Sequence, residues 1–331
     1  MNINNQKALF VISSPFQAIC ALEAICEFNV HSYCFLIVLT STNTRLDQIR
    51  YILDLRSVSY EIITLKKISY SNIVGTYRSI SLKTSTRFEF IFLGDYFSLQ
   101  HIFLSIISSR KKSKIIFLDD GLSTIVASKR NLYGCVYNIK RKLLLLCLNV
   151  KNVNYRTFFT IFKNGLVPKF NILHNNLDRL RSAAPSEQGK KIACIIGTPV
   201  EEYCLSYGVE VNQFFSSFRD IVNELNCDDI IFSPHGRCTN VEIIRICEEL
   251  NIEVKYSKVS VEFDYLQNGI CPQIIIAFDS TVFYTLHAIF QQAQFLNIQI
   301  IKKGFSNNEF EICEKYFYED LGIPTKRILI D

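Results

Sequence analysis

Ile231-Phe232-Ser233-Pro234-His235-Gly236-Arg237 is an apolar strand that runs straight into a polar turn. The strand reads from Asp229 to Phe232, and the stretch Asn240 to Leu250 after the turn has the period of a helix. Open α/β sheets hold ligands in such turns, outside the carboxyl ends of their strands. The chain has five histidines, and His235 is the one at a strand end of this kind. An ordinary surface turn would also explain it, so its reading depends on whether the rest of the chain repeats the pattern.

The pattern does repeat. Upstream, Ala8 to Ser13, Tyr33 to Leu39, Tyr60 to Leu65, Phe88 to Leu93 and Lys114 to Leu118 read as buried strands. Between them lie helix-patterned stretches, among them Ala18 to Cys26, Thr44 to Leu55, Ser69 to Leu82 and Phe97 to Ser108. Asn138 to Leu148 reads as a helix with a basic start, and Thr157 to Phe162 as a further strand. Residues 166–190 carry Pro168, Pro185 and Gly189 with little period, which is the composition of a linker. A second alternation then begins, with strands at Ile192 to Ile196, Asp229 to Phe232, Glu253 to Tyr256, Gln273 to Ala277 and Phe295 to Ile300. Its helices read as Asn212 to Leu225, Asn240 to Leu250, Glu262 to Asn268, Thr281 to Gln292 and Glu309 to Leu321, with a strand or tail at Arg327 to Ile330. Strands alternating with helices give parallel sheets. The expectation is therefore an α/β chain of two Rossmann-like domains, 1–165 and 191–331, with a cleft between them.

Composition bounds the function. At 331 residues the chain is long for one core. Its twelve cysteines form no Cys-x-x-Cys pair and sit singly in apolar runs, as buried thiols of a reducing cytoplasm do. No apolar run reaches the length of a membrane span; the longest candidate, Leu143 to Leu148, falls far short. The net charge of +5 hides an asymmetry: residues 1–185 hold 24 Lys+Arg against 10 Asp+Glu, and the remainder holds 12 against 21. Basic clusters at Arg110-Lys111-Lys112, Lys129-Arg130 and Lys140-Arg141-Lys142 suit an anionic surface. No RNA-binding signature or zinc finger accompanies them, which favours a peripheral contact with an anionic membrane over nucleic acid. A solvated charged face is the bland alternative.

The polar strand ends carry the candidate chemistry. Ser13-Ser14-Pro15-Phe16-Gln17 opens a helix, where backbone N–H groups can hold an anion or a sugar hydroxyl. Asp119-Asp120-Gly121 sets two adjacent carboxylates after a buried strand, and desolvation beside a like charge suits one of them to general-base work. Around the turn at 233–237, His235 and Arg237 can meet a phosphate. Phe278-Asp279-Ser280-Thr281 precedes an apolar helix, a phosphate site that needs no metal. Gly197-Thr198-Pro199-Val200-Glu201-Glu202 reads as a further strand-end loop. Caps and turns explain each cluster taken alone. No Gly-x-Gly-x-x-Gly or Walker A sequence is present, so a dinucleotide or P-loop site is not expected. The spaced Asp-x-Asp of metal-dependent sugar transferases is also absent, and no metal is expected.

Together these motifs resemble the bacterial GT-B sialyltransferases, nearest glycosyltransferase family 52, which act on lipooligosaccharide, O antigen or capsule. The resemblance rests on Asp119-Asp120-Gly121, His235 and Ser280-Thr281 in that order, with Ser14-Pro15-Phe16-Gln17 at the opening turn. It departs at Gly236, since the proline here precedes the histidine rather than following it. The resemblance implies metal-independent, inverting transfer of sialic acid from CMP-sialic acid to a terminal sugar, galactose by expectation, of a lipid-linked glycan. It implies three catalytic residues: Asp120 as base, Asp119 as its orienter or cap, and His235 meeting the departing phosphate. His235, Gly236, Arg237, Asp279, Ser280, Thr281, Gly197 and Thr198 would bind the donor, and Ser14, Pro15 and Gln17 the acceptor. Glu201 and Glu202 are rival bases. The implied protein is cytoplasmic and peripheral to the inner membrane, with monomer or homodimer left open. Rival readings are a GT-B transferase with another donor such as CMP-Kdo or a UDP-hexose, a sugar-nucleotide epimerase, and a non-catalytic basic protein binding membrane or nucleic acid.

Overall fold

A computed structural model describes residues 7–39, 43–64, 88–96, 98–121, 124, 157–162, 171–186, 189–238, 240–257, 259–305, 314–315 and 319–331. The helices read at Ser69 to Leu82 and Asn138 to Leu148 lie outside these residues, as does most of the last one, Glu309 to Leu321. The chain divides into two compact units, Met1–Arg179 and Leu180–Asp331. Each is built on one parallel sheet, and the chain has the two-domain α/β fold expected of it.

In the first unit the strands are β1 (Lys7–Ile12), β2 (Ser32–Leu39), β3 (Tyr60–Thr64), β4 (Phe88–Leu93), β5 (Ser109–Leu118), β6 (Thr157–Thr160) and β7 (Asn171–His174). They lie in the order β3-β2-β1-β4-β5-β6-β7, and every pairing is parallel. A parallel sheet buries both faces of its strands, which is why they read as unbroken apolar runs. Ala8 through Ile12 are fully buried. Phe10 stacks on Phe35 and Phe92 of the neighbouring strands, with ring centroids 4.7 and 4.5 Å away. Burying each such ring stabilises the fold by roughly 1.5–3 kcal/mol. Among the described residues the helices that serve this sheet are α1 (Pro15–Glu27), α2 (Asn43–Asp54) and α3 (Leu99–Ser108).

The stretch read as a linker is not one throughout, which is a correction. It contains β7, paired to β6, and the short α4 (Asp178–Ser182). Asn171-Ile172-Leu173-His174 is a four-residue strand with its end residues exposed, so it lacks the continuous apolar run of the inner strands.

The second unit holds β8 (Ile192–Ile196), β9 (Asp229–Ser233), β10 (Glu253–Val254), β11 (Ile274–Ala277), β12 (Gln294–Lys302) and β13 (Thr325–Ile330). Their order is β10-β9-β8-β11-β12-β13, again all parallel. Among the described residues its helices include α5 (Val200–Tyr207), α6 (Val211–Asn223), α7 (Val241–Glu249), α8 (Val261–Gln267) and α9 (Val282–Ile289). The sequence reading treats 197–202 as a loop, whereas α5 begins at Val200 and ends on Gly208 in the left-handed region. The core gathers Tyr203, Tyr207, Phe214, Phe218 and Phe232 against Ile276 and Ile298. The terminal segment is an edge strand of full length, since β13 pairs with β12 from Thr325 to Ile330. Among the described residues, no helix is long and apolar enough to cross a membrane.

Candidate functional site

In the first sheet β1 lies between β2 and β4, so the strand order reverses direction between β1 and β4. Such a reversal opens a crevice at the carboxyl ends of the strands. The candidate residues of this unit gather there. Ser14 caps α1 by accepting from the Gln17 amide at 3.3 Å, and Pro15 occupies the first helical turn, where its missing N–H costs nothing. Gln17 is 1% exposed. Its Oε1 accepts from the Ser13 amide at 2.7 Å, and its Nε2 donates to Asp120 Oδ1 at 2.6 Å.

That bridge depends on Gly94, the residue after β4. A Cβ there would stand 2.1 Å from Gln17 Oε1. Gly94 itself is tied to β1 by donating to the Val11 carbonyl at 2.8 Å.

Asp119 and Asp120 follow β5 and point to different surroundings. Asp119 is fully buried, and its Oδ2 accepts from the Ile161 amide at 2.7 Å, which ties the end of β5 to the end of β6. Asp120 is only partly buried; its amide donates to the Thr124 hydroxyl at 2.9 Å, and Gly121 supplies the turn with φ +63°. Burial raises the Asp119 carboxyl to about 7, the Thr160 and Thr124 hydroxyls and the Ile161 amide opposing the rise. Burial also raises Asp120, to about 6; Asp95 adds to the rise, while the Gln17 amide and Arg45 oppose it. A partly exposed carboxyl that titrates near neutrality can accept a proton from a bound hydroxyl.

In the second unit the strand order reverses between β8 and β11. Gly197 ends β8, the turn at 233–237 ends β9, and Asp279-Ser280-Thr281 ends β11. Gly197 donates to the Ser233 carbonyl at 2.8 Å, and a Cβ on it would lie 2.9 Å from Phe232 Cζ and 3.1 Å from the backbone of Pro234 and His235. The absent side chain lets the two strand ends close on each other. His235 Nδ1 accepts from the Arg237 amide at 3.1 Å, so the neutral ring carries its proton on Nε2. Burial and the Arg237 charge push this histidine below its ordinary value, against the pull of Glu202. Ser280 Oγ accepts from the Val282 amide at 3.4 Å at the start of α9. Thr281 is the N-cap of that helix, and its hydroxyl makes no capping bond.

The geometry gives several of the expected site residues further partners. The sequence reading sets Gln17, Ser14 and Pro15 against the acceptor; Gln17 is buried and donates to Asp120, and Ser14 and Pro15 form the start of α1. Asp279 turns its carboxylate into the sheet, where it accepts from Asn297 at 2.7 Å, from Gln299 at 3.0 Å and from the Tyr207 hydroxyl. It holds the turn from inside. Glu201 and Glu202 lie on the first turn of α5 and are exposed: Glu201 accepts from Asn240 at 2.7 Å, and Glu202 pairs with Arg237 at 2.8 Å. Both carboxylates are engaged with their own unit's surface, and Arg237 already has an anionic partner.

Sequence reasoning missed Gly94, Asp95, Thr124, Tyr207, Asn297 and Gln299. Leu93-Gly94-Asp95 carries the strand-end signature of the other clusters and was legible. The remaining residues lie within helices, strands or turns and act only through spatial neighbours.

Comparison with known proteins supports the fold. No family model matches the chain, and no curated protein matches it. Among solved structures, the UDP-GlcNAc 2-epimerase from Methanocaldococcus jannaschii is similar, with TM-score 0.54 and 11% identity over 98% of this chain and 89% of that one. The S. aureus MnaA–UDP co-structure is similar at TM-score 0.50 and 12% identity, covering 88% of this chain and 79% of that one. A glycosyl transferase family 9 structure from Veillonella parvula aligns at TM-score 0.43 and 12% identity over 100% of this chain and 89% of that one. At these identities the likeness is one of fold: the chain shares the two-sheet architecture of GT-B proteins.

Proposed function

We propose that the protein is a GT-B glycosyltransferase that uses a nucleotide-sugar donor, and that the donor is CMP-sialic acid. The observation that carries this reading is the carboxyl of Asp120. It stands at the strand reversal of the first sheet and is held by the Gln17 amide, and burial pushes it up to about 6. The resemblance of Asp119-Asp120-Gly121, His235 and Ser280-Thr281 to the sialyltransferase motifs supplies the donor.

In this mechanism the acceptor hydroxyl gives its proton to the Asp120 carboxylate as its oxygen attacks the anomeric carbon. The bond from that carbon to the CMP phosphate breaks, and the phosphate leaves with the electron pair. The anomeric carbon passes through an oxocarbenium-like state, and attack from the face opposite the leaving group inverts it. His235 Nε2–H and the groups at the start of α9, Ser280 and Thr281 among them, meet the charge that grows on the phosphate. Gly236, Gly197 and Thr198 bring backbone close to the donor. No step calls for a metal, so activity should persist in a chelator.

The basic first half fits an acceptor carried on a lipid at an anionic membrane, as in the synthesis of bacterial surface glycans. Binding to anionic vesicles should be weak and should vanish with added salt.

A second reading is favoured by one finding: the M. jannaschii neighbour is a UDP-GlcNAc 2-epimerase. An epimerase would change its nucleotide sugar with no acceptor present.

The test is thermal stabilisation by CMP, CDP, UDP, GDP and ADP, followed by turnover of CMP-sialic acid with glycan acceptors. A ligand at about 100 times its dissociation constant adds roughly 2.7 kcal/mol to the folded state. A shift with CMP that is lost in His235→Ala and Ser280→Ala supports the sialyltransferase. A shift with UDP alone, and conversion of a UDP-sugar without acceptor, supports the epimerase. A shift with another nucleotide and transfer from its sugar keeps the transferase and changes the donor. No nucleotide shift, with salt-steep binding to vesicles or nucleic acid, supports a non-catalytic protein.

A further inference from the structure

We infer that Gln17 is a positioning residue for the carboxyl of Asp120, and that the missing side chain of Gly94 is what holds Gln17 to that task. The inference deepens the transferase reading, on which its catalytic meaning rests. Three elements meet in it: the start of α1, the end of β4 and the end of β5.

The side-chain amide of Gln17 is fixed at both ends. Its oxygen takes the Ser13 amide hydrogen at 2.7 Å and faces the Ser13 hydroxyl at 3.2 Å. This assigns the orientation of the amide, because an N–H group cannot accept a hydrogen bond. The nitrogen therefore faces Asp120, and it donates to Oδ1 at 2.6 Å. An amide that can only donate at this point favours the ionised carboxylate over the neutral acid. It also fixes one carboxylate oxygen and leaves the other to meet a ligand.

The space for this bridge is made by Gly94. The chain approaches Gln17 so closely there that a single methyl group would overlap Oε1. Asn at position 17 would be one methylene too short to span the same gap, and Glu would set a second carboxylate against Asp120. Among the described residues, the other charged groups acting on Asp120 are Asp95 from the end of β4, Arg45 from the first turn of α2, and its chain neighbour Asp119. Asp95 works against ionisation and Arg45 works for it. Gln17 is the neutral member of this set. Its removal alters no charge, so any change in titration reports the lost hydrogen bond.

The experiment is a carbonyl carbon NMR titration of aspartate-labelled protein, with Asp120 assigned by Asp120→Asn. It is run on wild type, Gln17→Met and Gly94→Ala, alongside the pH dependence of kcat/KM. Gln17→Met keeps the volume and deletes the amide, whereas Gly94→Ala keeps the amide and displaces it. Both variants are expected to titrate Asp120 about one pH unit higher than wild type. The acid limb of kcat/KM is expected to move by the same amount, with donor KM little changed. An Asp120 titration that stays put in both folded variants overturns the inference, as does a fall in kcat with no movement of the acid limb. If Gln17→Met fails to fold, Gly94→Ala alone decides by the same readouts. The NMR titration needs no substrate, so a wild-type protein that transfers nothing from CMP-sialic acid overturns the donor reading while the Gln17–Asp120 relationship stands or falls by itself.

Discussion

The Tyr207 hydroxyl, at the last turn of α5, donates to the carboxylate of Asp279, whose own backbone sits in the left-handed region at φ +48°. Asn297 and Gln299 of β12 donate to the same carboxylate, and the Asp279 amide donates back to Asn297 at 2.9 Å. A non-glycine residue at positive φ persists only when its surroundings over-determine it. Here they do, and the turn that presents Ser280 and Thr281 is anchored from within the sheet.

Asp279→Ala removes the shared acceptor of three buried side chains and is expected to cost about 3 kcal/mol of stability, read by urea unfolding. Asp279→Asn tolerates the left-handed backbone and keeps an amide oxygen for β12, so it should retain most of that stability. If the alanine variant unfolds at the wild-type urea concentration, the anchoring account is wrong.

Asp120→Asn should lower kcat by about 10²–10⁴, the usual range for loss of a general base, while thermal stabilisation by nucleotide stays at the wild-type level. In wild type, kcat/KM should rise with pH through about 6, because the base must be ionised to work. A variant with full activity would remove Asp120 from the chemistry.

Asp119 predicts how stability depends on pH. Its folded carboxyl is raised from an ordinary 3.8 to about 7, so across that window the folded state holds more protons than the unfolded chain. Stability from this group is complete below the lower value and is lost as pH climbs through the upper one. Asp120 contributes in the same direction up to about 6. Asp119→Asn keeps an oxygen for the Ile161 amide and removes the titration. It should flatten the profile and exceed wild type above neutrality by on the order of 2 kcal/mol. Denaturant melts from pH 4 to 8 on both proteins measure it; parallel profiles would contradict the assignment.

Gly197→Ala inserts a methyl against Phe232 and the Pro234–His235 backbone. Overpacking of this kind costs about 1–3 kcal/mol, and here it falls on the turn that carries His235. The expected result is a lower Tm together with a weakened nucleotide shift. A methyl on Gly236 would meet nothing within 4 Å, so Gly236→Ala should leave Tm near wild type.

Much of the architecture was readable because buried parallel strands need apolar residues on both faces. Ile192 to Ile196 and Ala8 to Ile12 admit no other reading once helix-period stretches separate them. Helix α5 escaped because it is only eight residues long and opens with Pro199-Val200-Glu201-Glu202, which reads equally well as a turn. Strand β7 escaped because an exposed edge strand carries no apolar run.

Sequence alone determined that polar residues cluster where strands end, and it singled out Asp119-Asp120, His235 and Ser280-Thr281. Tertiary structure alone decided what each side chain does. Gln17 and Asp120 are 103 residues apart in the chain and 2.6 Å apart in space. Asp279 sits beside Ser280 in the sequence, yet its carboxylate belongs to Asn297, Gln299 and Tyr207. Local pattern reports burial and backbone conformation, because those depend on neighbours in the chain. Hydrogen-bond partners and carboxyl ionisation depend on neighbours in space, and only the packed sheet brings those together.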